Sequence, residues 1–411
     1  MTSAERLRAP WLGAPATVQV MTALTRDGAP ARFVGGCVRD ALLDPTADSH
    51  DLDVATAAPP GHTMRLLAAA GLPPLPTGLR HGTVSARLGS YRFEITTLRR
   101  DLACDGRHAE VVFTDDFDAD AARRDFTINA ISAEVDGTVH DPVGGRADLA
   151  AGRVRFVGDP RKRIAEDYLR ILRFFRFHAR FGRGAPDAAG LAACRELAHG
   201  IDRLSGERVR QELWLILAGP RPGAALAPMA ETGVLAHAVP IPVTLDRLGR
   251  LAEDAPLAGL PGLALIRPAA RAQVEALAER LRLGNRERER LTMLATAPLP
   301  DFAADARAQR AAVYRLGGAA YRDLLALAAA DGLVDEAHRT ELAQFAGGWR
   351  PPPFPLGGDD LLALGVAPGP GLGAILAQVR REWEAADFAW DRETCRARAA
   401  ALLAPGDDLT P

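Results

Sequence analysis

Two aspartates one residue apart, Asp51 and Asp53 in His50-Asp-Leu-Asp-Val-Ala, are the residues of this 411-residue chain whose spacing bears most directly on chemistry. The run reads as a β-strand, where side chains two apart share a face, so the two carboxylates converge. Neighbouring carboxylates repel unless a divalent cation stands between them, and hard oxygen donors suit Mg2+. Magnesium there would stabilise both an attacking hydroxyl and the pyrophosphate leaving from a triphosphate. The pattern alone is weak, because Asp116-Phe-Asp118 and Asp118-Ala-Asp120 repeat it in a polar run that reads as a solvated loop or helix start.

The context upstream is more telling. Arg32-Phe-Val-Gly35-Gly36-Cys-Val-Arg39-Asp40 spells a short strand, a double glycine and a helix start. Glycines let the backbone approach a phosphate, helix-start amides donate to its oxygens, and Arg39 adds a charge-assisted contact. Farther on, Arg161-Lys-Arg163-Ile-Ala-Glu-Asp167-Tyr-Leu-Arg170-Ile-Leu-Arg173-Phe-Phe-Arg176-Phe is strongly helical, which makes Asp167 and Arg170 surface neighbours three residues apart. Such a pair acts like half a base pair: the carboxylate accepts from an exocyclic amino group, and the guanidinium donates to an unprotonated ring nitrogen. Cytosine and adenine present that edge, whereas guanine and uracil present a carbonyl beside a ring N–H.

These groups need a scaffold. Six β-like runs, 31–34, 51–55, 84–88, 91–97, 110–113 and 154–157, predict an α+β module. From Asp159 the pattern turns helical, broken at Gly219-Pro-Arg-Pro-Gly, Ala297-Pro-Leu-Pro and Arg350-Pro-Pro-Pro-Phe-Pro. Between Leu98 and Arg123, the polar segment Arg99-Arg-Asp-Leu-Ala-Cys-Asp105-Gly106-Arg107-His108 reads as a loop with a glycine hinge, and Glu94 in the preceding strand reads as structural. Gly357-Gly-Asp-Asp360 predicts a helix start after a loop.

Taken together, the double glycine, Val-Arg-Asp and Asp-x-Asp resemble the tRNA nucleotidyltransferase and poly(A) polymerase family of the polymerase-β superfamily, with the likeness strong over Phe33–Leu217. The resemblance implies a polymerase-β-like head with a small sheet, followed by an all-α neck, body and tail. Expected boundaries are 1–157 for the head, 158–219 for the neck, 220–300 for the body and 301–411 for a tRNA-binding tail. Arg123-Arg124-Asp125-Phe-Thr-Ile-Asn129-Ala matches the family's arginine-arginine-aspartate signature, which implies that Arg124 contacts the nucleotide and Asn129 anchors the fold. Asp125 stays open between a ribose contact and a salt-bridge partner. The family's matching arginines reach the nucleotide, which assigns Arg173 and Arg176 to the triphosphate side. Ser205-Gly-Glu207-Arg208-Val-Arg-Gln-Glu212 resembles the neck motif that braces the recognition helix and reads as structural, with Glu207 and Arg210 spaced to pair. The segment at 99–108 occupies the place of the family's flexible loop, which reshapes the pocket from C to A.

The implied activity is addition of CCA to the 3′ end of tRNA from CTP and ATP, with Mg2+ held by Asp51 and Asp53. The nucleotide-binding set is Gly35, Gly36, Arg39, Arg124, Asp167, Arg170, Arg173 and Arg176. Poly(A) addition and A-only addition share these motifs, and a non-catalytic RNA-binding protein with a degenerate head is the alternative of another class. Composition fits a water-soluble enzyme: 48% hydrophobic and 25% charged residues, with no apolar run long enough to span a bilayer. Net charge is −2, so any nucleic-acid surface must come from local clustering, which Arg161–Arg183 supplies. Lys162 is the single lysine, and the preference for arginine fits a coding bias. The four cysteines are far apart, against a disulfide framework or zinc site, and with no apolar leader the expected address is cytoplasmic.

Overall fold

In the computed structural model, residues 6–79, 82–104, 109–243, 259, 262, 264 and 270–403 are described, side chains of 101–104 and 109–111 excepted. They fall into two compact units, Met1–Leu245 with Glu253–Gly262 and Glu275–Gly284, and Asp246–Ala252 with Leu263–Val274 and Asn285–Pro411.

The first unit opens with α1 (Pro15–Thr25), β1 (Ala31–Val34), α2 (Gly36–Leu43), β2 (Asp51–Thr56) and α3 (Pro60–Ala69). Strands β3 (Leu75–Gly78), β4 (Thr83–Leu88) and β5 (Tyr91–Thr97) follow, then β6 (Arg99–Cys104), β7 (Ala109–Phe113), α4 (Phe117–Ala122), β8 (Ser132–Ala133) and β9 (Val139–His140). Seven strands form one mixed sheet in the order β3-β4-β5-β2-β1-β8-β9. Its β2–β5 pair is parallel, and the others are antiparallel. Alternation decides which side chains are covered: Leu52, Val54, Val84, Ala86, Phe93 and Ile95 are buried, as are Val20, Leu24, Leu66 and Leu67 of α1 and α3.

Two expectations change here. Val154–Val157 is not a strand; it contributes one bridge, Phe126 to Phe156, because too few residues run beside a partner to build a ladder. The segment read as a loop after Leu98 is a hairpin, β6 paired antiparallel with β7, since backbone pairing between its arms satisfies the amides that a loop leaves to water. The residues of its expected tip, 105–108, lie outside the described residues.

Helices α5 (Gly145–Ala151), α6 (Pro160–Glu166), α7 (Leu169–Phe181), α8 (Ala188–Glu196), α9 (Gly206–Leu217), α10 (Pro222–Glu231) and α11 (Val234–Ala238) complete the first unit as far as 243. An aromatic cluster fastens α7 to the sheet-bearing part: Phe126 lies 4.9 Å from Phe156 and 5.2 Å from Phe177, and Phe156 stacks on Phe174 at 5.4 Å, ring centre to ring centre. The described elements of the second unit are helical, with a core around Leu361, Val379, Trp383 and Cys395. The breaks at 297–300 and 350–355 fall between helices, the one at 219–223 runs into the first turn of α10, where Pro222 sits, and Asp360 caps its helix by accepting from the Gly357 N–H (2.8 Å). Among the described residues no helix is long and apolar enough to cross a membrane. Cys37, Cys194 and Cys395 are buried free thiols.

Candidate active site

Period-two geometry sorts β2. Leu52 and Val54 are buried, while Asp51 and Asp53, which alternate with them, are exposed on the opposite face. Neither aspartate forms an ion pair with a described residue. The parallel neighbour β5 sets Arg92 beside Asp51 and Glu94 beside Asp53, and Arg92 and Glu94 pair with one another. The Asp53 carboxyl is crowded by protein atoms although the residue as a whole is open to solvent. Loss of water raises its pKa most, the Glu94 charge adds to the rise, Arg124 works against it and Asp51 adds again, so the group is pushed up to about 6.

Gly35 lies where β1 meets α2, with φ of 74°, in the left-handed region that side chains disfavour. A Cβ built there would stand 3.5 Å from Asp53 Oδ2 and 3.6 Å from Arg124 Nη1, so the glycine leaves open the space beside both groups. Hard carboxylate oxygens next to that opening fit Mg2+, which takes one or two protein carboxylates and completes its shell with water and substrate phosphates. Among the described residues no group of three or more His, Cys, Asp or Glu could hold a metal.

Arg39, expected on a phosphate, is instead interior. It is 6% exposed; Nη1 donates to Asn129 Oδ1 (2.6 Å), Nε to Asp40 Oδ1 (2.8 Å), and the guanidinium lies 4.2 Å from the centre of the Phe181 ring. The reason is geometric: three residues into α2 its side chain points back into the packed body, where a charge survives only with partners. Asn129 also donates to Asp125 Oδ1 (3.0 Å), so Arg39, Asn129 and Asp125 form one chain of bonds. Arg124 is better placed: Nη2 donates to Asp120 Oδ2 (3.1 Å) and Nη1 to the Asn129 carbonyl (3.4 Å), beside Gly35.

The recognition helix is two helices. Asp167 ends α6 with φ −156° and ψ 106°, and its Oδ1 accepts from the Leu169 N–H (3.1 Å) to cap α7. The helical Asp167–Arg170 pair is therefore corrected. An aspartate prefers a helix start to its interior, and this one takes the start. Arg208 of α9 reaches both Asp167 oxygens (3.1 and 2.8 Å), while Arg170 pairs with Glu166 (2.5 Å) and donates to the Arg163 (2.7 Å) and Arg123 (3.3 Å) carbonyls. The two expected triphosphate contacts are likewise engaged by protein carboxylates. Arg173 lies 2.9 Å from Asp125 Oδ2, and Arg176 Nε donates to buried Glu212 (2.7 Å).

Asp120, Glu166, Arg208 and Glu212 were not in the expected set. Asp120 belongs to a run whose polar composition predicts a solvated loop or helix start, yet it is 3% exposed and holds Arg123 (2.8 and 2.6 Å) as well as Arg124. Its spacing to those arginines, three and four residues on a helix, was the available signal. The spacing of the neck serine motif points to Glu207 and Arg210, whereas its Arg208 is the residue that meets Asp167.

Residues 31–155 match the family described as Poly A polymerase head domain, and 187–243 the one described as Probable RNA and SrmB- binding site of polymerase A. The chain is 34% identical over 383 residues to CCA tRNA nucleotidyltransferase 1, mitochondrial, of Mus musculus, covering 88% of this chain and 84% of that one. Against the CCA-adding enzyme of Limosilactobacillus fermentum it is 29% identical, over 93% of this chain and 96% of that one. The Bacillus stearothermophilus CCA-adding enzyme crystallised in complex with CTP matches with a TM-score of 0.72 at 26% identity, covering 95% and 98% of the two chains. The likeness runs well past Leu217, where the short motifs fade. At that identity over most of both chains, this chain is a member of the CCA tRNA nucleotidyltransferase family of enzymes.

Proposed function

We propose that the chain completes the 3′ end of tRNA with C, C and A, using CTP and ATP, and that Asp51 and Asp53 carry the chemistry. The observation behind this reading is the outward face of β2, where neither Asp51 nor Asp53 pairs with a described cation and Asp53 stands beside the space that Gly35 leaves open and Arg124 borders. Each addition joins the 3′-oxygen of the RNA to the α-phosphorus of the nucleotide and breaks the bond to pyrophosphate. Asp51 and Asp53 would hold Mg2+, which when bound offsets the negative charge developing on the attacking and leaving oxygens. Gly35 and Gly36 let the triphosphate approach the start of α2, and Arg124 supplies a guanidinium to its oxygens. Arg39 serves by bracing Asn129.

Asp167 and Arg170 read the base from the α6–α7 junction. Asp167 Oδ1 accepts from both Leu169 and Arg208, which leaves Oδ2, bonded only to Arg208, a lone pair for an exocyclic amino group. Arg170 donates to the ring nitrogen after exchanging a carbonyl contact for it. Arg173 and Arg176 reach the triphosphate side only by exchanging Asp125 and Glu212 for phosphate oxygens. We assign residues 1–157 to a catalytic head, 158–219 to a neck, 220–300 to a body and 301–411 to a tail that holds tRNA, and place the enzyme in the cytoplasm.

The test is to incubate the pure protein with Mg2+, CTP, ATP and a tRNA ending at the discriminator base, then sequence the 3′ ends. Two C and one A followed by a stop is the expected product. Open-ended A tracts without C would reject the assignment in favour of poly(A) addition.

A further inference from the structure

Asp120 lies on α4, outside the acid pair and the recognition helix, and is almost wholly buried. Buried carboxylates are costly unless several donors meet them. Here Oδ1 takes Nε and Nη2 of Arg123 (2.8 and 2.6 Å) and the backbone N–H of Arg99 at the base of β6 (3.5 Å), while Oδ2 takes Nη2 of Arg124 (3.1 Å). Burial alone would push its pKa up, but Arg124 and Arg123 outweigh that and hold the carboxyl below the usual range, so it is charged at neutral pH. The other Arg124 nitrogen is the one beside Gly35, and the carbonyl of Arg123 receives Arg170 (3.3 Å). One carboxylate thus joins the hairpin base to the arginine beside the acid pair, and the Arg170 contact falls on the Arg123 backbone rather than on its side chain.

We propose that Asp120 is a positioning residue for nucleotide binding: its carboxylate fixes the Arg124 guanidinium at the Gly35 opening and links that position to the β6–β7 hairpin. A guanidinium released from Asp120 would turn toward the nearby Asp53 carboxylate, giving up its alignment with a triphosphate. The inference rests on the reading that Arg124 contacts the nucleotide.

The experiment is a double-mutant cycle in the full-length protein, with CTP affinity measured directly and kcat and KM measured alongside. Asp120→Asn should weaken CTP binding about tenfold, the scale of one charge-assisted hydrogen bond, with the loss in KM rather than in kcat. Arg124→Gln should lose at least as much, and the double variant no more than Arg124→Gln alone. Arg123→Gln removes the other arm of the clamp and should keep CTP affinity within about twofold, on the same scale. Asp120→Glu keeps the charge, covers an Asn variant that fails to fold, and should lose less affinity than Arg124→Gln. An additive double variant overturns the proposal, as does an Arg123→Gln loss equal to that of Asp120→Asn or an Asp120→Glu loss equal to that of Arg124→Gln. Unchanged affinity in Asp120→Asn beside a weakened Arg124→Gln overturns it alone, whereas unchanged affinity in Arg124→Gln removes the underlying reading of Arg124.

Discussion

On β2, Asp51 and Asp53 stand exposed with no ion pair to a described residue, and the Asp53 carboxyl is pushed up to about 6. On α7 the arrangement is reversed: Arg170 meets Glu166, Arg173 meets Asp125, Arg176 meets Glu212 and Arg180 meets Asp40. The acid face has charge to spare and gains from a cation. The arginine helix is neutralised in advance, so a triphosphate must offer its arginines more than the carboxylates they already hold. The first region carries charge that no described cation meets, and the second is held in shape by its own ion pairs.

The contrast sharpens most at Asp167, which belongs to the paired region yet is assigned to base reading. Asp167→Ala should reduce the preference for CTP over UTP, in kcat/KM, by roughly 10- to 100-fold. An unchanged preference would leave Asp167 as a cap and partner of Arg208 only. Next in size is the pairing itself. Glu212→Gln removes the charge that Arg176 meets at a largely buried site and should cost about 2 kcal/mol in urea unfolding; no loss would mean that the α7 pairs are incidental to stability. The smallest effect concerns pH. Asp120 has a folded pKa below its unfolded value, so its stabilisation is full above the unfolded value and is lost as pH falls through the folded one. The melting temperature of Asp120→Asn should therefore fall less than that of the wild type as the pH is lowered through and below the ordinary aspartate value of about 3.9.

Legibility in the sequence followed distance along the chain. The β1–α2–β2 segment was readable because a double glycine and a period-two aspartate pair are local signals, and β1 runs Ala31–Val34 as expected. The helical region after Asp159 and its three breaks were readable for the same reason. What escaped was long-range or depended on burial. Glu212 lies 36 residues from Arg176, and Arg208 lies 41 from Asp167, separations that no helical spacing encodes. Arg39 looked free because nothing local announces Asn129, 90 residues on. The break at Asp167 was signalled by the capping preference of aspartate, but helical periodicity on both sides masked it. The hairpin of β6 and β7 was hidden by polar composition, since its pairing is a property of the backbone.

The most direct test of the central claim is single-turnover incorporation of C from CTP onto tRNA lacking its 3′ end, with Mg2+, by the wild type, Asp51→Asn and Asp53→Asn, alongside tRNA affinity. Each substitution removes one charge from an exposed face and should leave the melting temperature and tRNA binding near wild type. The predicted result is a loss of incorporation of about a thousandfold or more in both, the scale of removing a group that stabilises transition-state charge. Incorporation at near-wild-type rate in either variant would show that the chemistry is done elsewhere.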